Sequence, residues 1–171
     1  MAELEVEIPR LIKKYQAKTG RLLTIGTVES ATGGRIADRI TNVPGSSDYF
    51  KGSLVAYSNE AKIALVGVKK ATLEKHGAVS ERSALEMARG GRKLLDVDIC
   101  VSDTGIAGPA GGTPSKPVGL FYLGLAAEDI SFSQTHVFSG NREGNKLGAA
   151  EAVLDMLKRY LVQCIDTTGR R

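Results

Sequence analysis

The chain has no tryptophan, two cysteines, two histidines and only 5% aromatic residues. Two cysteines cannot frame a disulfide scaffold. Cys100 sits in an apolar, strand-like run, so Cys100 and Cys164 read as reduced residues of a cytoplasmic protein. Together with His76 and His136 they show no metal-ligand spacing, and no metal or other cofactor is expected. Long apolar runs are also missing. The longest, Gly119 to Ala127, falls far below the ~20 residues of a membrane helix. The acidic start Met1-Ala2-Glu3-Leu4-Glu5 lacks the apolar centre of a signal peptide. Basic runs stop at pairs such as Lys13-Lys14 and Lys69-Lys70, with no aromatics interleaved. The net charge of +4 includes Arg170 and Arg171 at the tip. Neither a nucleic-acid partner nor a membrane partner is expected.

What the chain does have is glycine: 20 in 171 residues, roughly 12% against an average near 7%. Its 42% hydrophobic and 25% charged residues are those of an ordinary globular domain. No repeat, low-complexity linker or domain boundary interrupts it. One domain is expected over residues 1–165, with a flexible tail over 166–171.

Apolar spacing predicts a first helix within 3–18, beginning near Pro9, and a buried strand over 21–29. A Gly33-Gly34 turn leads to a short helix over 35–42. A loop at 46–50 precedes a strand over 52–58 and a helix capped by Asn59. Further helices are predicted at 70–76, closed by Gly77, and after the cap Ser80, with Ala84, Met87, Gly91 and Leu94 on one face. A strand over 97–102 precedes a Gly/Pro loop over 104–116. Strands at 117–126 and 130–138 are close enough to form an antiparallel hairpin. A last helix places Leu147, Ala150, Leu154, Leu157 and Leu161 on one side. This order predicts an α/β fold with about five strands, mostly parallel, one of them antiparallel.

Much of the glycine excess falls in two places, Gly33-Gly34 after the first strand and the 105–113 segment after the third. Ligands of open α/β sheets bind outside the carboxyl ends of strands, and glycines let backbone N–H groups approach them. Known phosphate motifs are absent: there is neither G-x-G-x-x-G nor G-x-x-x-x-G-K-[ST]. Ser30, Tyr57, Lys62 and Thr104 fall at the predicted carboxyl edge. A serine hydroxyl needs a base to become a nucleophile, and neither histidine is well placed to serve. Lys62 lies in the first turn of its helix, where desolvation would favour the neutral amine. From spacing alone, a lysine so placed is more often a solvated surface residue than a base, and Tyr57 more often a core residue than a catalytic one.

Val28-Glu-Ser-Ala-Thr-Gly-Gly34, Val43-Pro-Gly-Ser-Ser-Asp-Tyr-Phe50 and Tyr57-Ser-Asn-Glu-Ala-Lys62 resemble the CinA C-terminal-domain family. His76-Gly-Ala-Val-Ser80, Thr104-Gly-Ile-Ala-Gly-Pro109, Gly111-Gly-Thr113, Lys116-Pro-Val-Gly119 and Phe138-Ser-Gly-Asn-Arg142 continue the match in family order. The resemblance covers about residues 8–162. It implies a three-layer α/β/α sandwich with a mixed five-stranded sheet. The implied activity is hydrolysis of the carboxamide of nicotinamide mononucleotide, giving nicotinic acid mononucleotide and ammonia. It places the catalytic serine, tyrosine and lysine on Ser30, Tyr57 and Lys62. In this reading Tyr57 relays or orients the proton, and N–H groups around Thr32, Gly33 and Gly34 hold an oxyanion. Ser46, Ser47, Thr104, Gly105, Gly108 and Arg142 are candidates for the phosphate and ribose of a small-molecule nucleotide. Ala31 and Asn141 stand where the family usually has cysteine and aspartate. A binding module without turnover, and an amidase for another small amide, are the competing readings. Whether the chain acts alone or as a homo-oligomer is left open by the sequence.

Overall fold

In the computed structural model, which describes residues 4–168, the predicted alternation of helix and strand folds into three layers. The elements in chain order are α1 (Leu4–Thr19), β1 (Ile25–Glu29), α2 (Arg35–Thr41), β2 (Phe50–Val55), α3 (Asn59–Val66) and α4 (Lys70–His76). They continue with α5 (Glu81–Leu95), β3 (Ile99–Gly105), β4 (Leu120–Ala126), β5 (Ser131–Val137) and α6 (Arg142–Thr167). A single 3-10 turn, Ser46–Asp48, precedes β2.

The sheet order is β2-β1-β3-β4-β5. β1 pairs parallel with β2 and β3, and β4 pairs antiparallel with β3 and β5. β4 is therefore the one antiparallel member. Alternation along the strands supplies two apolar faces. Ile25, Ile99, Val101, Phe121, Leu123 and Leu125 pack with residues of α1, α2 and α6. Val28 and Cys100 turn to the opposite face, against Val66 and Met87 of α3 and α5.

Several boundaries differ from the expectations. α1 runs through Pro9 rather than starting at it. Proline forfeits one helical hydrogen bond there, but Ile8 and Ile12 on the same helix are buried in the main core. β1 begins at Ile25, because the amide and hydroxyl of Thr24 are taken by Asp98 at 2.8 and 3.0 Å. α3 is capped by Ser58, not Asn59: Ser58 is extended and its hydroxyl accepts from Ala61 N at 3.1 Å. Leu94 and Leu147 are exposed. The buried face of α5 passes through Ala84, Met87, Ala88 and Gly91 and continues to Leu95, at helical steps that skip Leu94. α6 buries Ala149, Ala150, Val153 and Leu154, a stripe that begins after Leu147. α6 also continues to Thr167, so the expected tail is helical at its start, and residues 169–171 lie outside those described.

The extension of β3 matters most. Asp103, Thr104 and Gly105, expected at a loop, pair with Leu123, Tyr122 and Phe121 of β4. Gly105 is required by that packing: a Cβ there would lie 2.4 Å from Phe121. The carboxyl ends of β2, β1 and β3 thus meet at one edge, each followed by a polar segment. Among the described residues, no helix is long and apolar enough to cross a membrane.

Candidate active site

Ser30 directly follows β1 and is buried. Lys62, in the first turn of α3, is 1% exposed, one of the largest fully buried side chains among the described residues. Its Nζ lies 2.9 Å from Ser30 Oγ, 2.8 Å from the Ala56 carbonyl and 3.2 Å from the Tyr57 carbonyl. The solvated-surface reading of Lys62 is therefore wrong. The segment after β2 bends back and offers two carbonyls to the amine, while β1 presents the hydroxyl. Burial pushes the Lys62 amine below the usual lysine range, and the charge of Asp103 partly opposes this.

Three acceptors match the three donors of an ammonium. A neutral amine has two N–H bonds and a lone pair. The two carbonyls can hold those two N–H bonds, which aims the lone pair at the Ser30 hydroxyl. This arrangement can remove a proton from serine.

Below Ser30 lie two buried carboxylates that the spacing arguments did not single out. Glu29 accepts from Gly34 N at 2.8 Å, Ile36 N at 3.1 Å and Ala37 N at 2.8 Å. It thereby caps α2, whose N-cap position is held by Gly34 with no side chain to offer. Gly34 itself has φ +97°, which favours glycine. Asp103 accepts from Ser30 N at 3.0 Å and Thr32 N at 3.1 Å. Burial pushes its carboxyl up to about 6, against the donors from Thr32 and Ser30.

These carboxylates change the expected oxyanion site. The amides of Thr32 and Gly34 are not free, since Asp103 and Glu29 hold them. The amides of Ala31 and Gly33 make no hydrogen bond among the described residues. Ala31 follows the serine directly, the position that supplies an oxyanion donor in other serine nucleophile turns.

Tyr57 is 60% exposed and does not belong to the core. Its hydroxyl accepts from Arg142 Nη2 at 3.1 Å, rather than meeting Ser30 or Lys62. Arg142 Nη1 also donates to the Gly108 carbonyl at 2.7 Å, which ties the glycine loop to the first turn of α6. Asn145, fully buried, donates to the Ala107 carbonyl at 3.1 Å and accepts from Gly140 N at 2.9 Å. A cleft of about 530 Å³ opens here, between Pro109, Val118 and Arg142. Thr104 lies beside the Ser30 turn, but its hydroxyl is held by the Ala78 carbonyl at 2.8 Å. Gly105 is a packing residue of the sheet.

Ser46 and Ser47 are not brought to this edge. β2 starts at Phe50 opposite Ile25, so the turn before it lies at the amino edge of the parallel strands. Five strand residues separate that edge from Ser30, roughly 16 Å. A larger concavity of about 800 Å³, lined in part by Tyr15, Arg21, Asp98 and Cys164, also lies at the amino edge, away from the serine–lysine pair.

Fold and site together define an α/β/α sandwich with a buried serine–lysine pair at the carboxyl edge of its parallel strands. The chain belongs to the CinA C-terminal domain family, whose model matches residues 9–161. A CinA-like protein of Chloroherpeton thalassium is 48% identical over 162 residues, covering 92% of this chain and 37% of its own length. One of Kosmotoga olearia is 47% identical over 161 residues, covering 94% and 39%. The chain thus spans under two-fifths of these relatives. Among solved structures, the competence/damage inducible protein CihA from Agrobacterium tumefaciens superposes with a TM-score of 0.83 at 34% identity, covering 92% of this chain and 94% of that one. A competence-damaged protein (CinA) superfamily protein from Klebsiella pneumoniae gives 0.85 at 27%, covering 94% and 99%.

Proposed function

We propose that this domain hydrolyses the carboxamide of nicotinamide mononucleotide to nicotinic acid mononucleotide and ammonia. The observation that carries the reading is the buried Lys62 amine 2.9 Å from Ser30 Oγ. The choice of substrate rests on the family resemblance of the site segments.

In this mechanism the neutral Lys62 takes the Ser30 proton as the serine oxygen bonds to the amide carbon. The Ala31 and Gly33 amides donate to the oxyanion. The C–N bond then breaks, and Lys62 passes its proton to the departing ammonia. Water attacks the acyl-serine with Lys62 again as base, which releases the acid and restores the Ser30 hydroxyl. Arg142 supports substrate binding. Two of its five N–H donors are used by Gly108 and Tyr57, and the others can pair with phosphate. Tyr57 works through Arg142 in this reading, not as a proton relay.

The test is ammonia release from nicotinamide mononucleotide by the wild type and Ser30→Ala, with nucleotide binding measured in both. Release by the wild type alone, with binding kept in both, is the expected result. Binding without release in the wild type would make the domain a binding module. Much faster release from a different amide would reassign the substrate.

A further inference from the structure

Asp103 occupies a position that the proposed mechanism leaves unused. It is fully buried on β3, beside the turn that carries the serine, and its strand partner on β4 is the apolar Leu123. Each of its carboxylate oxygens accepts one backbone amide, from Ser30 and from Thr32. The Thr32 hydroxyl lies 2.7 Å from Glu29 Oε2 and also contacts Asp103 Oδ1. A hydroxyl has a single proton to donate. Only when one carboxyl is protonated can both contacts be hydrogen bonds. Glu29 has three backbone amides at the start of α2 to hold its charge, whereas Asp103 has two. Burial pushes the Asp103 carboxyl up, so Asp103 is a carboxyl that can take up this proton.

Among the described residues, the charged groups near Asp103 include Glu29 on β1 and Lys62 on α3. Lys146 of α6 lies over the same turn, its Nζ 3.4 Å from where a Cβ on Gly33 would stand. Of these, Lys62 carries the proposed chemistry. Ser30 joins the two groups, its amide donating to Asp103 Oδ1 at 3.0 Å and its Oγ lying 2.9 Å from Lys62 Nζ, and the Asp103 charge favours the protonated amine.

We propose that Asp103 is a positioning residue for the serine–lysine pair, fixing the Ser30 turn through two amides and setting a buried carboxylate against the residue that meets Lys62. The proposal rests on the reading of Ser30 and Lys62 as nucleophile and base. With Asp103 ionised, Lys62 holds its proton more firmly. With Asp103 neutral, Lys62 releases it at lower pH, while the two amides keep the serine in place.

The experiment follows the ¹³Cε resonance of Lys62 in labelled protein against pH, in the absence of substrate. Lys62→Arg identifies the resonance. In Asp103→Asn the Lys62 midpoint should fall by about one pH unit, the low end of the effect of an opposite charge. The acidic limb of the kcat/KM profile should move by the same amount. A second variant, Lys62→Met, reads the coupling from the other side without altering Asp103. There the Asp103 carboxyl carbon should titrate at higher pH than in the wild type, since the cation is gone. An unchanged midpoint, in whichever variant folds, overturns the proposal. The titrations need no turnover. A wild type that releases no ammonia but shows both shifts would defeat the amidase reading and leave the coupling intact.

Discussion

Asp103→Asn also tests the buried carboxyl through stability alone. In the folded chain the Asp103 carboxyl is pushed from 3.8 up to about 6, chiefly by burial. The folded state therefore binds this proton more tightly than the unfolded chain does. Its contribution to stability is complete below the unfolded value and is lost as pH rises through the folded one. Two pH units at about 1.4 kcal/mol each are about 3 kcal/mol in full, of which about 2.5 kcal/mol falls between pH 4 and pH 7, because the unfolded carboxyl is already more than half ionised at pH 4. Asparagine cannot titrate, so it lacks this dependence. Its amide will face a backbone donor and lower stability, but by an amount that does not vary with pH. Titrating groups remote from Asp103, such as Glu5, held low by its hydrogen bonds with Arg39, are common to both proteins and cancel. Urea unfolding followed by far-UV circular dichroism at pH 4, 5, 6 and 7 measures both stabilities. The advantage of the wild type over the variant should shrink by about 2.5 kcal/mol as pH rises from 4 to 7. A difference that stays flat, or widens with pH, would refute the placement of Asp103 as a desolvated carboxyl.

Lys62→Ala should reduce kcat for ammonia release by roughly 10²–10⁴, the range for a general base; an unchanged rate would remove Lys62 from the mechanism. In the wild type, activity should rise with pH as Lys62 loses its proton, with a midpoint below that of an ordinary lysine, because burial lowers it. A profile that begins to rise only near the ordinary lysine value contradicts this. Tyr57→Phe should raise KM and leave kcat within about tenfold, since its hydroxyl meets Arg142 and not the reacting pair. A kcat loss beyond about a hundredfold would restore the relay role. Gly105→Ala should cost about 1–3 kcal/mol in urea unfolding, because its Cβ would stand 2.4 Å from the Phe121 ring. A stability equal to wild type would show that Phe121 can move aside.

The layers, the hairpin and the position of Ser30 were legible because each rests on local periodicity or on a turn after an apolar strand. Lys62 was legible as a residue but not as a buried one. Its surroundings are two carbonyls after β2 and a hydroxyl 32 residues away in sequence, and only the β1–β2 pairing joins them. Asp103 was hidden for a related reason. It lies within β3, and its partners are amides more than 70 residues earlier in the chain. Nothing in the alternation distinguishes a carboxylate that accepts from a distant turn from one that faces water. Ser46 and Ser47 were assigned to the site by resemblance. The parallel pairing of β2 with β1 places whatever precedes β2 at the other edge, a consequence the predicted topology already contained.

The parallel half of the sheet also fixes where the site is most easily taken apart. Ser30 and Asp103 follow or belong to inner strands, with neighbours on both sides. Lys62 rides on α3, which packs on α5, but two of the three partners of its amine are carbonyls just after β2, an edge strand joined only to β1. A local opening that peels β2 from the sheet would withdraw those two carbonyls from the amine while the serine turn stayed in place. Segments of this kind, with one paired side and a partly solvated face, exchange their amide hydrogens before the centre of a sheet does. Slow loss of activity on warming would then track amide exchange in β2, ahead of the melting of the sheet as a whole.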